Sequence, residues 1–286
     1  MQQRLCENRT SMIELNGHSG CKIYVVDDYS RKVVRKVSSS EDYNERLIAQ
    51  MRKQEYLVLP GFKTCEVLGN GKINNLFYFE MEYLNGKTLA ESIETLSLNN
   101  VIKISNILGG NIVDYESPNK EADYVFKEKI KSLKLDERVK NKPIVQASLR
   151  YVNNYSWKYV MNSSCHGDLT LENIIVQDNE FYLIDCLDSF YDSWLIDIAK
   201  IFQDVDLFWS YRNQNNISEN LLIRLTVIRD LLMEKILGMP MGKEILDTIY
   251  HILIVNLLRI YPYVSDNKTE LFLDEKLKYV INKIEQ

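Results

Sequence analysis

Hydrophobic and polar residues alternate in four short segments near the N-terminus, and this pattern predicts a small β-sheet. The segments are rich in β-branched and aromatic residues, which suit a pleated and half-buried surface. They are CKIYVVD (21–27), KVVRKV (32–37), TCEVLG (64–69) and NLFYFEMEYL (75–84). Glycine and asparagine in GNGK (69–72) predict the turn between the last two strands.

A helix is predicted between the second and third of these strands. The segment SSSED (38–42) offers N-cap serines and early acidic residues, and helical spacing of apolar residues continues to about Tyr56. Residues 1–84 are therefore expected to form a β-rich unit with one helix.

The pattern changes to helical periodicity after residue 84. Thr88 and Glu91 have the spacing of a capping box, and helical patterns then dominate the chain. One exception is a predicted hairpin, in which a turn at QDN (177–179) precedes the strand FYLID (181–185). Residues 85–286 thus form a larger, mostly helical unit, and the whole chain is expected to be an α+β, bilobal protein with a ligand cleft between its lobes.

Composition and charge narrow the class of protein. The chain has 286 residues, enough for one large domain or two modest ones, and its 45% of hydrophobic residues can fill a sizeable core. A formal net charge of −5 argues against a nucleic-acid partner. Five scattered cysteines without a CxxC pair predict reduced thiols and hence a cytoplasmic protein, and three distant histidines argue against zinc.

No membrane partner is expected from the apolar segments. The N-terminal sequence MQQRLCENRT lacks the apolar core of a signal peptide. The most apolar C-terminal stretch, IYHILIVNLLRIYPYV (249–264), contains polar residues and is by itself too short to span a bilayer.

Three polar residues at the ends of the predicted hairpin point to phosphate chemistry. Asp168 and Asn173 precede the first hairpin strand, and Asp185 ends the second, so the three side chains are expected to converge. Carboxylate and amide oxygens suit Mg²⁺, and a further carboxylate can act as a base. Phosphoryl transfer to a hydroxyl needs both kinds of group.

The same residues lie in motifs that resemble those of a known family. HGDLTLEN (166–173) followed by YLID (182–185) resembles the HGDxxxxN and hydrophobic-ID motifs of the aminoglycoside phosphotransferase and choline kinase family. The resemblance implies a protein-kinase-like fold, with 1–84 as the nucleotide-binding lobe and 85–286 as the lobe that carries the catalytic loop and the acceptor pocket.

The resemblance also implies roles for individual residues. Asp168 is expected to be the catalytic base, and Asn173 and Asp185 to hold magnesium with assistance from Asp188. His166 is expected to support the catalytic loop. In a further part of the motif, DSWLIDIAK, Asp197 would tie the following helix to this loop; an acidic residue favoured near a helix N-terminus is the alternative interpretation.

The nucleotide contacts implied by the resemblance lie in the first lobe. Lys36 is the candidate for the lysine that binds the ATP phosphates, with Arg35 as its rival because neighbouring strand residues point to opposite faces. Its partner on the following helix would be Glu45, with Glu55 as second choice.

Backbone groups supply the other nucleotide contacts that the resemblance implies. The loop GHSGC (17–21) would cover the phosphates with the amides of Ser19 and Gly20, and an ordinary turn fits the same residues. In FEMEYLNG (79–86), the backbone of Glu82 and Leu84 would contact adenine.

The expected function is ATP- and magnesium-dependent phosphorylation of a hydroxyl on a small molecule. A protein kinase is disfavoured, because the catalytic loop has HGD rather than HRD and too few residues follow Asp185 for an activation loop. The acceptor is expected to be an amino alcohol, a sugar or an aminoglycoside-like compound. Asp204, Asp206 and Asp230 are candidates for recognising an amine or are solvated surface residues.

Two further expectations concern the acceptor and the activity. RKVSS (35–39) and HGDLTLEN are similar to segments of family members associated with bacterial surface-polysaccharide synthesis, which implies a sugar-related acceptor. Two alternatives to phosphorylation stay open: a kinase-fold protein that binds nucleotide without catalysis, and an enzyme that transfers AMP.

Overall fold

The N-terminal lobe is built on an antiparallel sheet covered by one helix. The computed structural model of the chain describes residues 11–15, 21–28, 31–114, 117–214 and 216–286. Five strands pair in the order β1-β2-β3-β6-β5, and α1 packs against this sheet. Their bounds are β1 Ser11–Leu15, β2 Cys21–Asp28, β3 Arg31–Ser38, α1 Asn44–Tyr56, β5 Val67–Ile73 and β6 Leu76–Glu82, with a short strand β4 Lys63–Thr64 that lies outside this sheet.

Three of the four predicted strands and the helix are present with small shifts at their ends, whereas the strand predicted at 64–69 is displaced, because β5 spans Val67–Ile73. The sequence pattern did not predict β1, whose five residues are all exposed and so carry no inward-facing hydrophobic signal. Leu47 from α1 and Phe79 from β6 are fully or almost fully buried in a small core between helix and sheet. One face of each of these elements is buried, and this explains why the hydrophobic pattern of the sequence predicted them.

The turn between β5 and β6 was predicted at the wrong place. The segment GNGK (69–72) lies within β5, where the pairing with β6 is irregular between Val67 and Gly69. The chain instead reverses at Asn74 and Asn75, whose φ angles are 50° and 65°. Asparagine tolerates this left-handed conformation, and two consecutive residues with positive φ match the twist of a tight hairpin.

The C-terminal lobe is mainly helical and carries a second, smaller sheet. Its elements are β7 Lys87–Thr88, α2 Leu89–Ser92, α3 Leu98–Gly110, α4 Lys120–Lys131, α5 Glu137–Lys140, α6 Pro143–Asn154, β8 Ile174–Gln177, β9 Glu180–Leu183, α7 Trp194–Val205, α8 Glu219–Leu237, α9 Gly242–Ile260 and α10 Asn267–Ile284. The small sheet has the order β4-β9-β8-β7, so β4 crosses from the first 84 residues to pair with the second lobe.

Two short sequence motifs in this lobe, a capping box and a hairpin turn, form as predicted. Thr88 and Glu91 form the expected capping box, in which each side chain binds the backbone N–H of the other residue. The hairpin β8–β9 turns at Asp178 and Asn179, both with positive φ, as QDN predicted. The α+β, two-lobed prediction is therefore confirmed.

The longest apolar helix differs from the sequence-based expectation. The helical segment Gly242–Tyr263 has 22 residues and is long and apolar enough to cross a membrane, although the stretch 249–264 alone was judged too short. Within its most apolar window, 72% of the residues are buried inside the structure. Leu253 and Leu257 are fully buried in the main core, so packing against other helices accounts for the apolar composition.

Asp204 is a buried structural anchor of the C-terminal lobe. It accepts hydrogen bonds from the N–H of Leu171 at 2.7 Å and from the N–H and hydroxyl of Ser210 at 3.0 and 2.7 Å. Burial raises the pKa of this carboxyl to about 6, against the effect of those hydrogen bonds. Leu171 follows the HGD segment closely, so Asp204 helps to hold that segment in place.

Replacing Asp204 by alanine is expected to reduce the free energy of unfolding by about 3 kcal/mol, because buried donors would lose their acceptor. Denaturant unfolding followed by circular dichroism measures the change. The matched control is Asp230→Ala at an exposed position of α8, where loss of a surface pair with Arg229 is expected to cost about 0.5 kcal/mol or less. Equal losses in both variants would contradict the anchoring role.

Candidate active site

Asp168 lies in the cleft and contacts two side chains that orient it. The Nζ atom of Lys200 lies 2.9 Å from Asp168 Oδ1. The amide of Asn173 donates to the backbone carbonyl of Asp168 at 2.8 Å and approaches its Oδ2 at 3.3 Å. The Asp168 side chain keeps 28% of its surface exposed, so a substrate can reach it. Burial favours a raised pKa, but the charge and hydrogen bond of Lys200 outweigh it and lower the pKa of Asp168.

Gly167 allows the chain to present Asp168 in this position. Its φ of 90° lies in the region that favours glycine. A Cβ atom at this position would lie 2.7 Å from the carbonyl oxygen of Leu187, which is too close for an ordinary contact. Steric exclusion of a side chain therefore explains why the HGD motif has glycine at this position.

Asp197 fixes the same loop from helix α7. Its two carboxylate oxygens accept the N–H groups of His166 and Gly167 at 2.6 and 2.9 Å. Burial raises the pKa of Asp197 to about 7, although these two hydrogen bonds lower it. The contact geometry agrees with the predicted tie between this helix and the HGD loop.

His166 connects the loop to the strand that leads to Asp185. Its Nδ1 accepts the N–H of Asp168 at 3.2 Å, and its Nε2 lies 2.8 Å from the carbonyl oxygen of Ile184. This pattern requires a neutral ring with the proton on Nε2. Burial lowers the pKa of His166 to about 4, so the ring stays neutral at physiological pH.

His166 is expected to titrate near pH 4 rather than at the ordinary value of 6.5. Because its folded pKa is lowered, the unfolded chain binds more protons between these values. The contribution of His166 to stability is therefore complete above pH 6.5 and is lost as the pH falls towards about 4. Histidine ring NMR measures this, with assignment by replacing His18 and His251. A titration of His166 near 6.5 would contradict the buried neutral ring.

The two lobes meet in an ion pair between Lys36 and Asp185. Lys36 Nζ lies 2.7 Å from Asp185 Oδ1, and the lysine side chain is only 3% exposed. Burial would lower the pKa of Lys36, but Asp185 raises it above its ordinary value, so the lysine stays charged. Its rival Arg35 points to the other face of β3 and pairs with Glu80 at 3.0 Å. Of the two candidates, Lys36 is therefore the one whose side chain reaches Asp185, and its contact with the ATP phosphates stays a prediction.

Asn173 and Asp185 have a donor set that fits magnesium. The backbone N–H of Ile184, which precedes Asp185, donates to the carbonyl of Asn173 at 3.1 Å, so the two side chains start from adjacent positions. The Nδ2 group of Asn173 donates to Asp168. The Oδ1 atom of Asn173 has no partner among the described residues. Two protein oxygens are few, but Mg²⁺ commonly takes its other ligands from phosphates and water.

Asp188 does not join a preformed metal cluster. It is exposed on the segment after Asp185, and no group of three His, Cys, Asp or Glu side chains in the described ranges is arranged to hold a metal ion. Its assisting role stays a prediction.

The expected partner of Lys36 on α1 is not found. Glu45 and Glu55 are both exposed, and Asp185 is the carboxylate that pairs with Lys36. The buried face of α1 instead presents Gln50 and Gln54. Helical spacing alone could not show this, because both glutamates lie on the outer side of a helix whose rotation is set by packing.

The structure does not test the two nucleotide contacts that were predicted for the phosphate loop and for the segment between the lobes. Ser19 and Gly20 lie outside the described residues. Glu82 ends β6, where its N–H donates to the carbonyl of Glu66 at 3.0 Å, and Leu84 follows, packed against the small N-terminal core. Both residues lie on the chain between the lobes, and their contact with adenine stays a prediction.

Two further lysines that form ion pairs near the candidate site were not predicted from the sequence. Lys200 pairs with Asp168, and Lys53 on α1 pairs with Asp192 at 2.7 Å across the lobes. For Lys200 a signal existed, because it follows Asp197 by three residues and therefore shares its helix face. For Lys53 the partner is 139 residues away, and no local pattern marks it.

The acids considered for amine recognition are engaged elsewhere. Asp204 anchors the HGD segment, as described above. Asp206 is buried and accepts a hydrogen bond from the hydroxyl of Tyr279 at 2.9 Å. Asp230 is exposed and pairs with Arg229 at 2.8 Å. Recognition of an amine by these three residues is therefore not supported.

Comparisons with known proteins agree with the geometry. The model of the phosphotransferase enzyme family matches residues 15–225. No curated protein matches the sequence.

Solved structures of small-molecule kinases share the fold. The apo form of a thermostable mutant of aminoglycoside phosphotransferase APH(4)-Ia superposes with a TM-score of 0.64 at 13% identity, covering 96% of this chain and 95% of that chain. A ternary complex of such a mutant with ADP and hygromycin B gives 0.62 at 14% identity, with 95% and 93% covered. Amicoumacin kinase hAmiN in complex with AMP-PNP, Ca²⁺ and Ami gives 0.56 at 13% identity, with 95% and 88% covered. These similarities confirm the predicted protein-kinase-like fold.

Proposed function

The chain belongs to the phosphotransferase enzyme family, and we propose that it transfers the γ-phosphate of ATP to a hydroxyl group of a small-molecule acceptor. The observation that carries this proposal is the convergence of Asp168, Asn173 and Asp185 at one end of the β8–β9 hairpin, with Lys36 reaching them from the other lobe. The nucleotide complexes of similar structures support a nucleotide in the cleft.

In this proposal Asp168 orients the acceptor hydroxyl and accepts its proton. The lowered pKa keeps the carboxylate ionised at neutral pH, and Lys200 with Asn173 limits its rotation. Because the carboxylate is already held in one orientation, its side chain loses little further conformational entropy when the substrate binds. Lys200 is therefore a positioning residue for the base.

Asn173 and Asp185 would hold Mg²⁺, which neutralises charge on the phosphates when it is bound. Lys36 stays protonated and would bind phosphate oxygens, a role for which a compact ammonium ion is suited. Glu82 and Leu84 would receive adenine between the lobes. Asp188 would assist at the metal through its exposed carboxylate.

The acceptor classes open to this proposal are an amino alcohol, a sugar or an aminoglycoside-like compound. Engagement of Asp204, Asp206 and Asp230 in other contacts supports the sugar more than the two amine-bearing classes. A sugar-related acceptor is also the class that a role in surface-polysaccharide synthesis would require.

Phosphorus NMR with ATP, Mg²⁺ and a panel of sugars, amino alcohols and aminoglycosides tests the proposed function. The expected result is ADP together with a new phosphomonoester signal that depends on one acceptor. Calorimetry with ADP and Mg²⁺ tests nucleotide binding independently. A product that carries AMP would replace phosphorylation by AMP transfer, and absence of nucleotide binding would overturn the proposal.

A further inference from the structure

Two cations from separate helices lie against the ring of Phe190. They are Lys129 on α4 and Arg259 on α9, and we refer to them as the Phe190 cations. Arg46 on α1 contacts the ring of Tyr43 and interacts electrostatically with both of them. The guanidinium carbon of Arg259 and the Nζ atom of Lys129 each lie 5.5 Å from the centre of the Phe190 ring. Phe190 belongs to the segment between Asp185 and helix α7, so the cluster lies on the segment that follows the proposed metal ligand.

Electrostatic interactions couple these cations to Arg46 and to the proposed base. Burial lowers the pKa of Arg259, Asp168 raises it, and Arg46 lowers it. Burial also lowers the pKa of Lys129, and both arginines lower it further. Arg259 in turn helps to lower the pKa of Asp168. The cluster is therefore positive and lies within electrostatic reach of the reacting carboxylate.

The Phe190 cations differ from the other positive side chains of the cleft. Lys36, Lys53 and Lys200 each have a carboxylate oxygen within 3 Å, at 2.7, 2.7 and 2.9 Å. Neither of the Phe190 cations forms a salt bridge with any described residue. Cation–π contacts with Phe190, and of Arg46 with Tyr43, offset only part of their mutual repulsion.

A partly buried guanidinium without a counter-ion is unfavourable, and adjacent like charges increase the cost. Such an arrangement is expected where an anionic ligand supplies the missing charge. In the proposed function, magnesium and Lys36 already serve the nucleotide phosphates, and Lys200 positions the base. The unpaired cations lie beyond them, on α4 and α9, in the lobe that carries the acceptor pocket.

We propose that the acceptor is itself acidic: a hydroxyl-bearing molecule with a carboxylate or phosphate group, which Arg259 and Lys129 bind while Asp168 faces the hydroxyl. Arg46 adds positive charge from the other lobe. This inference rests on the proposed function, because it concerns the second substrate of the same site. It also excludes a polycationic acceptor, which the cluster would repel.

Matched acceptors test the charge preference directly. Phosphorus NMR and coupled ADP release would compare neutral sugars with the corresponding sugar acids and sugar phosphates, and with amino sugars. The acidic member of a pair is expected to have a kcat/KM about 10- to 100-fold higher, the range for one charge-assisted interaction. A higher value for the neutral or amine-bearing member would overturn the inference and leave the proposed phosphotransfer intact.

Substitutions in the cluster test whether Arg259 and Lys129 are the residues that bind the acidic acceptor. Arg259→Gln and Lys129→Gln are each expected to raise the KM for the acidic acceptor by about 10-fold or more without a change in the KM for ATP. The matched control is Arg150→Gln on α6, an exposed arginine for which both KM values are expected to stay the same. Lys129→Gln keeps the test valid if Arg259→Gln does not fold. An increase in the KM for ATP instead would assign the cluster to the nucleotide and overturn the inference.

Binding of inorganic sulfate tests the cluster even if no acceptor in the panel reacts. With the enzyme saturated with ADP and Mg²⁺, calorimetry is expected to show sulfate binding that Arg259→Gln weakens about 10-fold and Arg150→Gln does not change. Equal sulfate affinity in wild type and Arg259→Gln, or no binding to wild type, would overturn the inference. The proposed function fails separately, through loss of nucleotide binding.

Discussion

Asp168→Asn is expected to lower kcat by about 10²- to 10⁴-fold, the range for loss of a positioned general base. The substitution keeps the size of the side chain and leaves an oxygen that can still accept from Lys200. It removes the negative charge that attracts the proton of the hydroxyl. Coupled ADP release with an acceptor from the panel measures kcat, and calorimetry measures the affinity for ADP with Mg²⁺.

The control for this prediction is Asp178→Asn at the tip of the same hairpin. Asp178 is exposed and has a φ of 52°, a conformation that asparagine tolerates as well as aspartate. We expect normal kcat in this variant, and unchanged nucleotide affinity in both. Full turnover by Asp168→Asn would remove Asp168 from the proposed mechanism.

Asp185→Asn is expected to reduce kcat/KM for ATP by about 10³-fold, because a charged metal ligand supplies several kcal/mol of charge stabilisation. It also leaves the buried ammonium of Lys36 without its carboxylate. The free energy of unfolding of the nucleotide-free protein is therefore expected to decrease by about 1–3 kcal/mol.

A second substitution separates the two effects of Asp185. In Lys36→Met/Asp185→Asn the buried charge is removed together with its partner, so stability is expected to recover by about 1 kcal/mol relative to Asp185→Asn. Activity is expected to stay low, because both proposed phosphate and metal contacts are absent. Recovery of activity in the double variant would show that the single substitution acted only through folding.

The fold was predicted correctly where a few neighbouring residues encode a cap or a turn, or where one face of an element is buried. The capping box at Thr88 and Glu91 and the turn at Asp178 and Asn179 are encoded within four residues each, and both formed as expected. The turn after β5 was misplaced because glycines in GNGK gave a stronger turn signal than the two asparagines at 74 and 75. Strand β1 was missed because neither of its faces is buried.

The prediction of the candidate site was most complete for residues on one continuous segment. Asp168 and Asn173 flank the first strand of a hairpin, so pairing with the second strand places Asp185 beside them. Asp197 reaches the loop from the next helix. The resemblance implied Glu45, with Glu55 as second choice, as the partner of Lys36. Neither pairs with it, because the rotation of α1 depends on the residues packed beneath the helix.

The sequence alone determined the two-lobed α+β layout and the grouping of Asp168, Asn173 and Asp185. These features follow from periodicity and from the short loops that join neighbouring strands. The tertiary structure decided that Lys36 rather than Arg35 reaches Asp185, that Lys200 holds Asp168, and that Arg259 on α9 lies against Phe190 without a salt bridge to any described residue. These contacts join residues that are 32 to 149 positions apart or depend on which face of an element is covered, and packing of the lobes sets both.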